Sequence, residues 1–164
     1  MLIGSVFSRL SAPYVSAYVS SKHALSGFTD SLRQELRGTG IRVALVLPTT
    51  IDTPIHQHAA NYTGRRVQPL FPVVNPRRVA RTIVARAYRP RRSSTVGVLQ
   101  SSMIPVRALA HGLYDAIITT LVHRMALRDE PQSPHPGTLY APDPASNAVS
   151  GGWLRSGEHV TDRI

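Results

Sequence analysis

The chain has 164 residues and an ordinary apolar fraction of 42%, enough for one domain with a hydrophobic core rather than a disordered polypeptide. It contains no cysteine, which excludes a disulfide framework, a thiolate metal site and a cysteine nucleophile, and which fits an intracellular, cytoplasmic protein. The formal net charge is +10, yet every cationic side chain except Lys22 is an arginine. A coding bias toward arginine accounts for that excess and leaves the lone lysine in need of its own explanation.

Residues 1–5 read as the end of a buried strand, because the opening run of seven is apolar and too short for a signal peptide. Residues 6–14 form a Ser/Pro-containing loop. From 16 to 37 the spacing predicts a helix, with Ala17, Ala24, Leu25, Phe28, Leu32 and Leu36 at three- and four-residue steps and Gly38 and Gly40 as stops. Residues 41–47 are β-branched and almost wholly apolar, the composition of a strand covered on both faces. Strand, helix, short turn and strand make a βαβ unit of a parallel sheet. Residues 49–74 carry Pro54, Gly64, Pro69 and Pro72 and read as a long functional loop. Asn75 and Pro76 open a further helix with Val79, Ala80, Ile83, Val84 and Ala87 on one stripe. A short strand is expected over 95–99 and one long helix over 105–127. Residues 1–128 are thus expected as one Rossmann-type domain and 129–164, rich in Pro, Ser and Gly, as an extended or partly disordered tail. No stretch is long and apolar enough to be a membrane-spanning helix.

Tyr18 and Lys22 stand four residues apart on the first helix and share one face. An ammonium near a phenol favours the phenolate, so such a tyrosine can hand a proton to a developing alkoxide or take one from an alcohol. Ser5 lies where the opening strand ends. In a parallel sheet that end faces the ligand crevice, so its hydroxyl is placed for the same substrate oxygen. A Tyr-x-x-x-Lys pair alone is commonly a solvated helix face; the serine before it and the buried strand and Pro-rich loop after it give it weight.

Ser5 to Lys22 reads Ser-x12-Tyr-x3-Lys, and around it stand Ser11-Ala12-Pro13-Tyr14, the run from Tyr18 to Leu25, the run from Gly27 to Leu36, Gly40-Ile41-Arg42-Val43, Leu47-Pro48 and Asp52-Thr53-Pro54. Over about the first hundred residues these words resemble the short-chain dehydrogenase/reductase family, in its C-terminal half. The resemblance implies a doubly wound parallel-sheet α/β Rossmann fold and hydride transfer between NAD or NADP and a small-molecule carbonyl or secondary alcohol. It implies that Tyr18 is the acid/base, that Ser5 steadies the substrate oxygen, and that Lys22 holds the nicotinamide ribose while favouring the Tyr18 phenolate. That last role suits a compact ammonium better than a planar guanidinium. Tyr18, Lys22, Pro48, Thr49, Ile51 and Thr53 are the implied cofactor-binding residues. Thr49 replaces the glycine usual after the proline, and Ser8 replaces a glycine common three positions after the serine. No Gly-rich phosphate-binding turn or ribose selector occurs in the 164 residues, so the expected state is a truncated or late-start product, weakly active or inactive alone. The alternative is a non-enzymatic interaction module or pseudogene-like remnant.

Other features carry blander readings. His56 and His58 lack a third ligand at a recognisable spacing, so no metal site is expected and they fall on the substrate loop with Tyr62, Leu70 and Phe71. The arginines between 77 and 92 have almost no aromatic companions, which argues against nucleic acid and for a solvated helix face. The apolar flank over 106–127 reads as core, ahead of peripheral membrane contact. Gly151-Gly152-Trp153 reads as a docking anchor, with Trp153 filling a groove on the body. A homo-oligomer is the family's implication for the full-length form.

Overall fold

The computed structural model describes residues 1–144 and 147–154. Two compact units emerge: Met1–Thr49 with Arg77–Thr119, and Thr50–Pro76 with the described residues from Thr120 onward.

The first unit is built on a three-stranded parallel sheet in the order β1 (Leu2–Ile3), β2 (Leu45–Pro48), β4 (Ser93–Val96). Leu45, Val46 and Leu47 are essentially inaccessible, as a central strand covered on both faces requires. Helix α1 (Ser16–Glu35) links β1 to β2, and α3 (Pro76–Tyr88) precedes β4. The ladder pairs Leu2 with Leu45 and Leu47 with Thr95. Strand β2 starts four residues later than its apolar run, since Ile41 and Arg42 are exposed beyond the positive-φ turn at Gly40 and the two-residue β1 supplies no earlier partner. The strand expected over 95–99 sits at Ser93–Val96 instead: Gly97, at φ +112°, turns the chain and leaves Val98 and Leu99 exposed.

The buried side of α1 also differs from the expected stripe. Ser26 and Thr29 are its buried residues, flanked at helical spacing by the partly buried Lys22, Leu25, Leu32 and Leu36, whereas Ala17, Ala24 and Phe28 lie off that line. Thr29 serves there because its hydroxyl donates to Leu25 O at 2.6 Å and needs no outside partner, whereas the buried Ser26 hydroxyl has no partner among the described residues. Asp30, on the same helix, gathers Arg33 at 2.6 Å, Arg92 at 3.0 Å and Arg9 at 3.8 Å, tying α1 to the end of the segment before β4.

The single helix expected over 105–127 is three pieces: α4 (Met103–Leu109), α5 (His111–Leu121) and a π-helical turn at Val122–Ala126. Ala110 leaves helical geometry at φ −143°, ψ 68°, which separates the first two. Pro105 falls in the first turn of α4, where its missing N–H is no loss. Tyr114 on α5 is fully buried with Val6 and Leu10, and Phe7, Met103, Ile104, Val106 and Ile118 pack around them. Its hydroxyl donates to Ser11 O and accepts from Ser11 N, and burial pushes its pKa above the usual 10.0.

The second unit contains what reads in sequence as one loop. A short helix α2 (Ile55–His58) is followed by β3 (Arg65–Val67), which pairs antiparallel with β5 (Leu127–Pro131). Asn61 organises the approach to β3: its amide donates to Arg65 O and Gln132 Oε1, and its oxygen accepts from the Thr63 backbone and hydroxyl. Residues 145, 146 and 155–164, part of the expected tail, lie outside the described residues.

Candidate active site

Where β1 ends, Ser5 is buried and caps a one-turn 3₁₀ helix, Val6–Ser8. Its Oγ accepts the Phe7 N–H at 3.2 Å, and its own N–H donates to Ser8 Oγ at 3.3 Å. This reciprocal cap holds the Ser5 backbone, and it explains Ser8: a glycine there has no hydroxyl to close the turn. Because Oγ acts only as an acceptor among the described residues, its hydroxyl proton is free for another partner.

Phe7, one step further round that turn, meets the Tyr18 ring edge-on, with centroids 6.1 Å apart. The serine turn and α1 are joined through this contact. The Lys22 Nζ lies 5.4 Å from the Tyr18 ring centroid. Tyr18 is 46% exposed, whereas Lys22 stands on the α1 line that turns inward. Neither the Tyr18 hydroxyl nor the Lys22 ammonium has a hydrogen-bonding or ionic protein partner among the described residues.

Pro48 and Thr49 close the C-terminal end of β2, both buried. The Thr49 N–H and hydroxyl both donate to Val96 O, at 2.9 and 3.0 Å, so its two donors are spent on β4. Its side chain fills the space over Gly97, where a Cβ would fall 1.9 Å from Thr49 Oγ1. The bulk that replaces a glycine at 49 is accommodated by a glycine at 97. In sequence, Gly97 reads only as a strand residue.

Ile51 and Thr53 belong to the second unit. Ile51 bridges Val74 in parallel, and Thr53 N donates back to Ile51 O at 2.9 Å. Between them Asp52 is almost wholly inaccessible, and both its oxygens are taken by residues about a hundred positions later. His56 packs edge-on to the Trp153 ring at 6.0 Å, and burial holds its pKa below the usual 6.5. Of the expected substrate-loop residues, Tyr62 and Phe71 are exposed and Leu70 is partly buried. Phe7, Ser8, Gly97 and Asp52 were not singled out in the sequence as parts of the site. Only Ser8 had a local signal, a serine three residues after a serine, weaker than the usual capping pair with Glu or Gln.

A parallel sheet, with a serine turn after its first strand and a Tyr/Lys helix following that turn, defines an α/β protein. Residues 1–63 match the family model for short chain dehydrogenases. The uncharacterized oxidoreductase YxnA of Bacillus subtilis (strain 168) is 28% identical over 165 aligned residues, 97% of this chain and 46% of that protein. Dehydrogenase/reductase SDR family member 7B of Mus musculus is 29% identical over 72% of this chain and 38% of its own length. A short chain dehydrogenase from Burkholderia cenocepacia J2315, solved in complex with NADP, superposes with a TM-score of 0.55 at 22% identity, covering 71% of this chain and 46% of that one. The chain is thus similar to short chain dehydrogenases, most directly over residues 1–63, and it spans less than half the length of these relatives. Among the described residues no helix is long and apolar enough to cross a membrane.

Proposed function

We propose that the chain carries the proton-transfer residues of an oxidoreductase that interconverts a small-molecule carbonyl and a secondary alcohol with NAD or NADP. The observation that carries this reading is unspent hydrogen-bonding capacity. Within one unit, the Tyr18 hydroxyl, the Lys22 ammonium and the Ser5 hydroxyl proton have no protein acceptor or ion partner among the described residues. A Tyr–Lys pair kept only for helix solvation would not need a buried, capped serine beside it.

When bound, the dinucleotide supplies or accepts the hydride. Tyr18 then gives its phenolic proton to the alkoxide oxygen as a carbonyl is reduced, and takes it back in the reverse direction. Ser5 donates its hydroxyl proton to the same oxygen, and its backbone is held for that by the Ser8 cap. Lys22, whose N–H donors have no hydrogen-bond or ionic partner among the described residues, fits the ribose hydroxyls. Pro48, Thr49, Ile51 and Thr53 are the further cofactor-lining positions in this reading. At Thr49 both donors are already committed to β4, so that position offers packing and its carbonyl. A homo-oligomeric form and action without nucleic acid complete the reading.

Titration of the chain with NADH and NADPH, followed by reduced-nicotinamide fluorescence, tests it. Saturable binding to one of them, weakened about tenfold or more in Lys22→Ala, is the expected result for a lost pair of charge-assisted bonds. Tyr18→Phe should retain binding while turnover of carbonyl substrates falls by about a hundredfold to ten-thousandfold. Binding of equal strength in Lys22→Ala, or turnover that survives Tyr18→Phe, would overturn the assignment.

A further inference from the structure

The segment at 150–153 does not trail away from the body. Ser150 Oγ donates to Asp52 Oδ2 at 2.5 Å, and the Trp153 backbone N–H donates to Asp52 Oδ1 at 2.8 Å. The Trp153 indole N–H reaches Thr53 O at 3.3 Å, and Gln57 Nε2 donates to Gly151 O at 2.8 Å. The Ser150 hydroxyl is used twice, since it also accepts the Gly152 N–H at 3.1 Å. A Cβ on Gly151 would fall 2.3 Å from Thr53 O, so the backbone passes closer to Thr53 than any other residue allows. Ser150, Gly151 and Trp153 therefore grip Asp52, Thr53 and Gln57, while the Trp153 ring meets His56 edge-on.

The chemistry of the grip is informative. Asp52 is 1% exposed, and the donors that meet it are a hydroxyl and a backbone N–H, both neutral. Burying a carboxylate against neutral donors is an expensive way to fasten two segments if fastening were all that is needed, because an apolar contact of similar size does it without desolvating a charge. What a carboxylate adds is direction. Its two oxygens orient two donors at once and fix the backbone on either side of residue 52. That backbone is the run from Ile51 to Thr53.

We propose that Asp52 is a positioning residue, which through the clasp at 150–153 fixes the backbone and side chain of Thr53 for the bound dinucleotide. This rests on the reading of Thr53 as a cofactor-lining residue. The clasp makes the last described stretch of the chain part of the cofactor site's support, and both ends of the contact lie in the second unit.

Hydrogen exchange separates this from simple stabilisation. The amides of Asp52, Thr53 and Gln57 are bonded to Val74 O, Ile51 O and Pro54 O, and those of Asn61 and His135 to each other's carbonyls as an internal control. In Asp52→Ala and in Gly151→Ala, exchange at 52, 53 and 57 should rise about tenfold or more with 61 and 135 unchanged. The emission of Trp153, the one tryptophan in the chain, should shift to the red as its ring is released. Asp52→Asn should restore most of the order, since its amide can still accept from Trp153 N and donate to Ser150 Oγ. Trp153→Phe, which keeps the ring and the main-chain bond, should weaken NADH or NADPH binding by a few-fold through the lost bond to Thr53 alone.

Red-shifted emission with unchanged exchange at 52, 53 and 57 would overturn the proposal, as would exchange that rises equally at 61 and 135. A wild-type chain that binds neither dinucleotide would instead sink the cofactor reading. The exchange pattern would still show whether the clasp orders Thr53.

Discussion

The two units of this molecule are held by different physics. In the first, a central strand of Leu45, Val46 and Leu47 is buried between neighbours, and Tyr114, Val6 and Leu10 form a second apolar cluster. In the second, fewer apolar residues are buried (Val73, Val74, Val122, Ala126 and Leu127), and single polar side chains do the connecting. The Asn61 side chain makes four hydrogen bonds, three within residues 61–65 and one to Gln132, and Asp52 accepts two from residues 98 and 101 positions on. The difference teaches that a parallel sheet tolerates polar freedom at its strand ends, which is where Ser5 stands, whereas a loop-built unit spends its polar groups on itself.

Core truncation should break the first unit hardest. Leu47→Ala removes a side chain at 2% exposure from the strand buried on both faces, and is expected to cost about 2–5 kcal/mol in urea unfolding followed by circular dichroism. A loss below about 1 kcal/mol would mean that the sheet is not the main source of stability there.

Gly97→Ala comes next. It places a Cβ at φ +112° and drives it into the Thr49 side chain, so two separate penalties add. The expected loss is about 2–4 kcal/mol. Thr49→Gly made in the same chain should recover the steric part and leave the backbone part. A double-mutant cycle with no coupling would show that Thr49 and Gly97 are not a compensating pair.

How much of this was legible in the sequence follows the same division. Apolar period and glycine stops marked α1, β2 and α3 to within a few residues, because burial in a parallel sheet leaves a compositional trace in each segment by itself. Tyr18 and Lys22 were visible because their spacing is local to one helix. The pairing of Thr49 with Gly97, and of Asp52 with Ser150 and Trp153, joins positions 48 to 101 residues apart and leaves no period to detect. The sequence did suggest that Gly151-Gly152-Trp153 docks. What receives it is the buried Asp52 carboxylate, with the Trp153 ring edge-on to His56. The long loop of 49–74 hid a strand because β3 is only three residues long and its partner lies some sixty positions on.

In the second unit the corresponding cut is Asn61→Ala. It leaves the Thr63 N–H without its acceptor and removes one of the two donors to the Arg65 carbonyl, and about 1–3 kcal/mol should be lost. Hydrogen exchange at Asn61 and His135, whose backbones pair, should report it first. A loss as large as that of Leu47→Ala would erase the contrast between the units.

The smallest effect is a titration, and it sharpens the contrast from the polar side. His56 lies against Trp153, and burial lowers its pKa from 6.5 because the charged imidazolium is poorly solvated there. The unfolded chain therefore takes up the proton at higher pH than the folded one. Stability from this group is fully present above about pH 6.5 and is lost as pH falls through the lowered folded value. An imidazolium edge-on to an indole quenches it, so Trp153 emission should drop with a midpoint below 6.5. His56→Gln should flatten that step. Should the step persist in the variant, the ring contact is not what senses the proton.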